Sequence, residues 1–336
     1  MKSLYKIALA MVATFGLVTA AAAETLRAHG PNPGGGSYIA TVAIGKMAEK
    51  HAGIGMQLQA GQTGTRSLVA LSKGEIDFTL LPVPAVNLFK NGQAMYQNMA
   101  EAPELYNNLR GILVWECCAW HYMTYAEDGM TSMEDFKGKK IYTGPPGSVA
   151  KRILEGMIKA ATGYVAGEDY TAVNLDWGSG SQALRDRNID VYIQPVQIGG
   201  APIEEISVSR DVRLIGLPPV EGNEALMNAT SLPGNMRVEL PPGLYKGVVN
   251  ETPITTVALR HIAGVGVHSD EETIYNVTKA VWENIEEFYT YGAFLEQVNP
   301  ELAFLDMNVP LHAGAYRYYK EQGWDIPEHL VPPEAK

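Results

Sequence analysis

The sequence predicts an α/β protein of two lobes joined by a double crossing. Three observations carry that expectation. Strand-like and helix-like segments alternate, which implies mainly parallel sheet covered by helices. The alternation runs twice, restarting after residue 135. Extended segments, Ala119–Ala126 and Pro253–His268, stand where the chain would pass between lobes and back, making a hinge rather than a loose tether.

The elements follow in order. Ahead of them, Lys2 and Lys6 precede an apolar run from Ile7 to Val18 and the small residues Ala20–Ala23. This is the pattern of a cleavable signal peptide, residues 1–23, too short for a membrane span. Thr25–Gly30, Met56–Gly61 and Asp77–Leu81 read as strands. Ile39–His51 and Thr65–Lys73 read as helices, with Val42, Ala43 and Met47, then Leu68 and Leu71, on one stripe. A long polar, helical stretch runs from Ala85 to Leu109. In the second series Lys139–Thr143, Ala172–Trp177, Asp190–Gln194 and Val212–Leu217 are strands, and Val149–Thr162 and Gln182–Arg187 helices. Ser269 and Glu272 have capping-box spacing ahead of the apolar stripe Ile274, Val277, Val281, Ile285 and Phe288. The expected division is a first lobe at 24–122, a second at 123–257 and a return to the first at 258–336, with the second crossing near 255–265.

Composition narrows the function. The chain has 336 residues, 46% hydrophobic and 19% charged, which is ordinary globular composition. Its net charge of −11 excludes the basic footprint of a nucleic-acid binder. Cys117 and Cys118, the only cysteines, are adjacent; two buried thiols are the first expectation and a vicinal bond the alternative. Neither has metal-ligand spacing to a histidine, and the seven histidines share no motif, so no metal or cofactor is expected. Catalysis needs a nucleophile or acid–base pair with a positioned partner, and the sequence presents no such motif.

What it does present is four small-residue loops, each after a strand and before a helix: Gly34–Tyr38, Gln62–Thr65, Gly144–Ser148 and Trp177–Ser181. A helix start leaves backbone N–H groups unpaired and carries about half a positive charge. Glycine permits close approach, and Ser or Thr adds short donors, so such a start holds a carboxylate without lysine or arginine. None has nucleotide-motif spacing. The expected binding residues are Gly36, Ser37, Tyr38, Thr63, Gly64, Thr65, Gly147, Ser148, Trp177 and Gln194. Ser37, Tyr38, Thr63, Thr65 and Ser148 would make polar contacts, Gly36, Gly64 and Gly147 would offer N–H groups, and Tyr38 and Trp177 would form walls.

These blocks resemble the TAXI family, the extracytoplasmic solute receptors of TRAP transporters, over nearly the whole chain after residue 23. Gly34–Tyr38 resembles the family's first glycine-rich loop. Gly61–Thr65, followed by Gly74-Glu75-Ile76-Asp77, is similar to its second loop and turn. Glu134–Lys140 leading into Gly144–Ser148, and the block Leu311–Ala315 with Tyr318-Tyr319, resemble two further segments. The resemblance implies a type II-like periplasmic binding-protein fold and a monomer that closes on a small carboxylate or amino acid. It also implies delivery to an ion-driven TRAP permease. Receptors of an ATP-driven importer or a sensor are the alternative, and a periplasmic enzyme a more distant one. Two departures stand out: Leu81-Pro82-Val83-Pro84 where the family has polar residues, and Val149 and Trp177 beside the third and fourth loops. They predict a cleft with an apolar end.

Overall fold

The computed structural model describes residues 24–31 and 33–336; the signal-peptide expectation lies outside the described residues. The strands are β1 (Thr25–His29), β2 (Gly55–Gln59), β3 (Phe78–Pro82), β4 (Leu109–Tyr125), β5 (Lys140–Tyr142), β6 (Thr171–Val173), β7 (Val191–Val196), β8 (Val212–Ile215), β9 (Asn235–Leu240) and β10 (Ile254–Gly266). The helices are α1 (Gly36–Ala52), α2 (Gly64–Ser72), α3 (Val83–Lys90), α4 (Ala102–Leu105), α5 (Val149–Thr162), α6 (Trp177–Arg185), α7 (Ala201–Ser207), α8 (Glu224–Thr230), α9 (Glu271–Trp282), α10 (Ile285–Tyr289) and α11 (Ala313–Glu321).

The two-lobed α/β expectation is met. Strands run in the order β2-β1-β3-β10-β4-β7-β5-β6, with β8 on β4 and β9 on β10. The outer strands of each half are parallel: β2 and β3 on β1, and β6 and β7 on β5. Only β4 and β10, 17 and 13 residues long, belong to both halves, and they pair antiparallel. One apolar cluster unites the first half with α9 and α11 through Ile274, Val277 and Tyr319. Two others, around Phe136 and around Tyr192, fill the second half.

The halves repeat one device. The carboxylate of Asp77 accepts the backbone N–H of Arg27, and that of Asp190 accepts the N–H of Lys140, at 2.8 and 2.7 Å. In each, an acid one residue before a strand pins the first strand of its own half.

Several local expectations shift. The Ala85–Leu109 stretch is α3, α4 and short 3-10 turns rather than continuous helix. Ala119–Ala126 is the end of the much longer β4. The cap of α9 is Asp270, whose carboxylate accepts the Thr273 N–H at 2.9 Å, so the capping box on Ser269 does not form. The apolar stripe breaks at Glu283–Asn284 into α9 and α10. Trp177–Ser181 is not a loop but the first turn and a half of α6. Its Gly180 is required because a Cβ there would lie 2.6 Å from the Tyr142 ring. For the vicinal cysteines the alternative to two buried thiols is the one found: they are disulfide-bonded.

Candidate functional site

One cavity, about 130 Å³, lies between the halves, floored by the crossing strands. That is room for a solute of roughly ten non-hydrogen atoms, at about one water-sized unit each. Its wall takes Gly35, Gly36 and Ser37 from the start of α1, and Thr63, Gly64 and Thr65 from that of α2. It takes Ser148, Val149 and Ala150 from α5, and Trp177 from α6. All four helix starts therefore reach the same space, two from each half. Gln194 of β7 also lines it.

The four starts are not equivalent. α1 has a glycine cap, Gly35, with no side-chain cap and no acid in its first turn. It is also the longest, at 17 residues. α2 is capped weakly, Thr63 Oγ1 accepting the Arg66 N–H at 3.4 Å. On α5 the Ser148 hydroxyl accepts the Lys151 N–H at 3.2 Å and donates its proton to Pro145 O at 2.7 Å. On α6 the positive end is already covered by a carboxylate. Asp176 accepts both the hydroxyl and the N–H of Ser179, at 2.6 and 2.9 Å. Those bonds hold its carboxyl below the usual range. The exposed dipole is thus concentrated on α1 and α2, and α6 contributes the face of Trp177, which stands edge-on to Tyr142 at 5.7 Å.

The halves touch across the cavity. Thr65 Oγ1 accepts the Val149 N–H at 3.2 Å, so a first-half hydroxyl caps a second-half helix.

Among the described residues none of the cavity wall is Asp, Glu, Lys or Arg. Its apolar side is Leu80, Pro82, Trp120, Val149, Ile153 and Trp177. Of the residues expected to give the cleft an apolar end, Pro82, Val149 and Trp177 are there; Pro84 faces a separate groove with Lys151 and Arg152. Tyr38 and Gly147 are not among the lining residues. Tyr38 lies toward Gly30, and Gly147 turns, at φ +67°, into that second groove.

Sequence reasoning passed over the floor. His261 of β10 lines the cavity, and its Nδ1 lies 2.9 Å from Ser37 Oγ, which lies 3.0 Å from Cys117 Sγ. Ser37 and His261 are 224 residues apart, and no local pattern announces the pair. Cys118 and Trp120 join the same floor. Burial lowers the His261 ring to about 4, so it is neutral near pH 7.

Two expected outcomes follow. Ser148→Ala costs about 1 kcal/mol of helix capping, read by denaturant unfolding, while solute affinity changes less than that. The hydroxyl's single proton is already committed to Pro145 O. An affinity loss larger than the stability loss would restore Ser148 as a direct contact. The second concerns acid. His121 is also lowered to about 4 by burial, its ring held between Ala119 O and the Tyr245 hydroxyl. Unfolded histidine binds a proton below about 6.5. Between that pH and 4 only the unfolded chain is protonated at His121 and His261, so stability is full above 6.5 and falls as pH drops toward 4. The loss is about 3 kcal/mol per histidine. A melting temperature constant from pH 7 to 4 would contradict it.

A model of the NMT1-like family matches residues 30–323. Among solved structures, the periplasmic aliphatic sulphonate binding protein SsuA from Escherichia coli is 12% identical, covers 90% of this chain and 80% of its own, and has a TM-score of 0.42. A TRAP periplasmic solute binding protein from Pseudomonas aeruginosa PAO1 with bound L-malate is 9% identical, covers 93% and 96%, and has a TM-score of 0.48. A third, from Desulfovibrio desulfuricans with bound sn-glycerol-3-phosphate, is 10% identical, covers 91% and 94%, and scores 0.48.

Proposed function

The chain belongs to the NMT1-like family, and from that premise we propose that it is an exported solute receptor of the TAXI type. It captures a small organic monoanion in the interlobe cavity and hands it to a TRAP permease. No bond is made or broken in the solute. The observation that carries this reading is that the open starts of α1 and α2 face a cavity walled on its other side by α5 and α6, with no charged side chain among its described lining residues.

The chemistry of the wall narrows the solute. Its anionic group takes the N–H groups of α1 and the Ser37–His261 pair. Its body lies against Pro82, Ile153 and Trp177. An ammonium group would lose its hydration here without meeting a carboxylate, at a cost of several kcal/mol. The reading therefore favours an aromatic or branched aliphatic carboxylate over the amino acid of the same shape.

Calorimetry tests this with paired ligands, each acid beside its α-amino analogue. The acids are expected to bind at least about 100-fold tighter, a difference of about 2.8 kcal/mol. Tight binding of glutamate with no acid of this kind bound would overturn the reading.

Closure gives a second check. Thr65→Val removes the acceptor for the Val149 N–H and keeps the side-chain volume. The closed state loses about 1 kcal/mol, and affinity falls by about five- to tenfold. Small-angle scattering should then show a larger mean dimension at subsaturating solute. Unchanged affinity and dimensions would remove Thr65 from the closing contact.

A further inference from the structure

The cavity floor holds a second constellation, which shares His261 with the proposed anion site but adds two sulfurs that anion binding does not use. In a regular strand consecutive side chains point to opposite faces. β4 escapes this at Cys117: Leu259 of β10 pairs with Cys118 and the next residue, Arg260, pairs with Glu116, leaving Cys117 as the bulged residue. The two sulfurs are bonded to each other beside His261. Cys117, Cys118 and His261 offer ligand atoms that all lie within 4.8 Å of one another, and all three residues are buried.

We propose that two-electron reduction of the Cys117–Cys118 bond converts this cluster into a binding site for a borderline-soft divalent cation of the zinc class, held by the two sulfurs and the His261 ring.

The redox step balances with a dithiol as reductant. The Cys117–Cys118 bond breaks, two S–H bonds form, and the dithiol supplies two electrons and two protons as it closes to its own disulfide. The cation then displaces both thiol protons to solvent, and the two thiolates cancel its double charge. Sulfur and imidazole nitrogen are the ligands this class of ion prefers, at ~2.3 and ~2.1 Å, and three protein ligands leave a fourth position for water or an anion. The spread of the ligand atoms asks only for rotation of the freed side chains.

The surroundings fit. Cys118 and His261 line the cavity, which gives reductant and ion a path. No Lys or Arg in the wall competes with a cation. The Ser37 hydroxyl, within hydrogen-bond distance of both Cys117 Sγ and His261 Nδ1, is placed to orient two of the three ligands. Positions 117, 118 and 261 form no sequence motif, because β4 and β10 meet only through the sheet.

The test uses the full exported chain and cobalt(II) as probe. Protein is reduced anaerobically with dithiothreitol, freed of it by gel filtration, and its thiols counted. Two thiols per chain are expected, then one equivalent of cobalt with thiolate-to-metal charge-transfer absorption, displaced by zinc. Untreated protein should show neither. Cys117→Ser and Cys118→Ser should each abolish the absorption, and His261→Gln should weaken cobalt at least about tenfold, with circular dichroism confirming each fold. Absence of thiols after reduction, absence of the absorption in reduced protein, or wild-type cobalt affinity in folded His261→Gln would each overturn the proposal. None of these readouts involves the organic solute, so the receptor reading stands or falls separately.

Discussion

Ser37→Asp is expected to lose solute binding by about a thousandfold. The substitution places a fixed carboxylate at the open end of α1, where the solute's own anionic group is proposed to sit. Two like charges about 4 Å apart repel by about 4 kcal/mol at the effective dielectric of a partly solvated site, and each 1.4 kcal/mol is tenfold in affinity. The new side chain also takes up the α1 N–H groups and pairs with His261, so the donors are consumed as well as opposed. Acids are favourable in the first turn of a helix, so folding is not expected to suffer in proportion. Ser37→Ala is the companion. It leaves the N–H groups in place and removes only the hydroxyl that orders His261, and a loss of about tenfold is expected. Calorimetry on both variants, with thermal unfolding as the control, decides the matter. If the aspartate variant bound the acid as tightly as wild type, the anion would not lie at α1.

The largest expected effect of a single substitution on stability is outside the cavity wall. A Cβ at Gly314 would lie 2.2 Å from Glu271 O and 2.5 Å from Tyr275 N, both backbone atoms of α9. Flexible side chains can move aside at small cost; a facing helix backbone cannot. Gly314→Ala therefore has to push α11 off α9. That separation disturbs the 2.8 Å bond from Trp282 Nε1–H to the Tyr319 hydroxyl and the Arg317 pairs with Glu271 and Glu272. Overpacking commonly costs ~1–3 kcal/mol, and backbone-on-backbone contact puts this site at about 3 kcal/mol or more. Urea unfolding should show a lower midpoint at an unchanged slope. An unchanged midpoint would mean that the two helices are not packed as closely as the structure has them. The neighbouring His312 belongs to the same arrangement, its Nδ1 accepting the Gly314 N–H and its Nε2 facing Ser269 O, at 3.2 and 3.1 Å. The block Leu311–Ala315, one of the segments that carries the family resemblance, is thus explained by helix packing rather than by the solute.

The structure sorts the expected binding residues by what each atom is already bonded to. A glycine-rich turn ahead of a helix signals that an N-terminus is available, but not whether something else fills it. Asp176 fills the one on α6, and Ser148 with Thr65 fills the one on α5. These outcomes turn on single side chains whose hydrogen-bond geometry has no signature in composition. Tyr38 follows the same logic: one helical step from Ser37 is about 100°, enough to turn a residue out of the cavity.

The sequence by itself determined the alternation of strands and helices, the doubling of that pattern, the two extended junctions and three of the four helix starts, because period, cap chemistry and glycine placement act over a few residues. Only the tertiary structure decided that Ser37, His261 and the Cys117–Cys118 pair come together, that Cys117 is a bulged residue of β4, and that none of the described wall residues is charged. Those facts depend on which residues two long antiparallel strands bring level with each other. Register is set by the packing of both halves at once, and no local run of the chain encodes it.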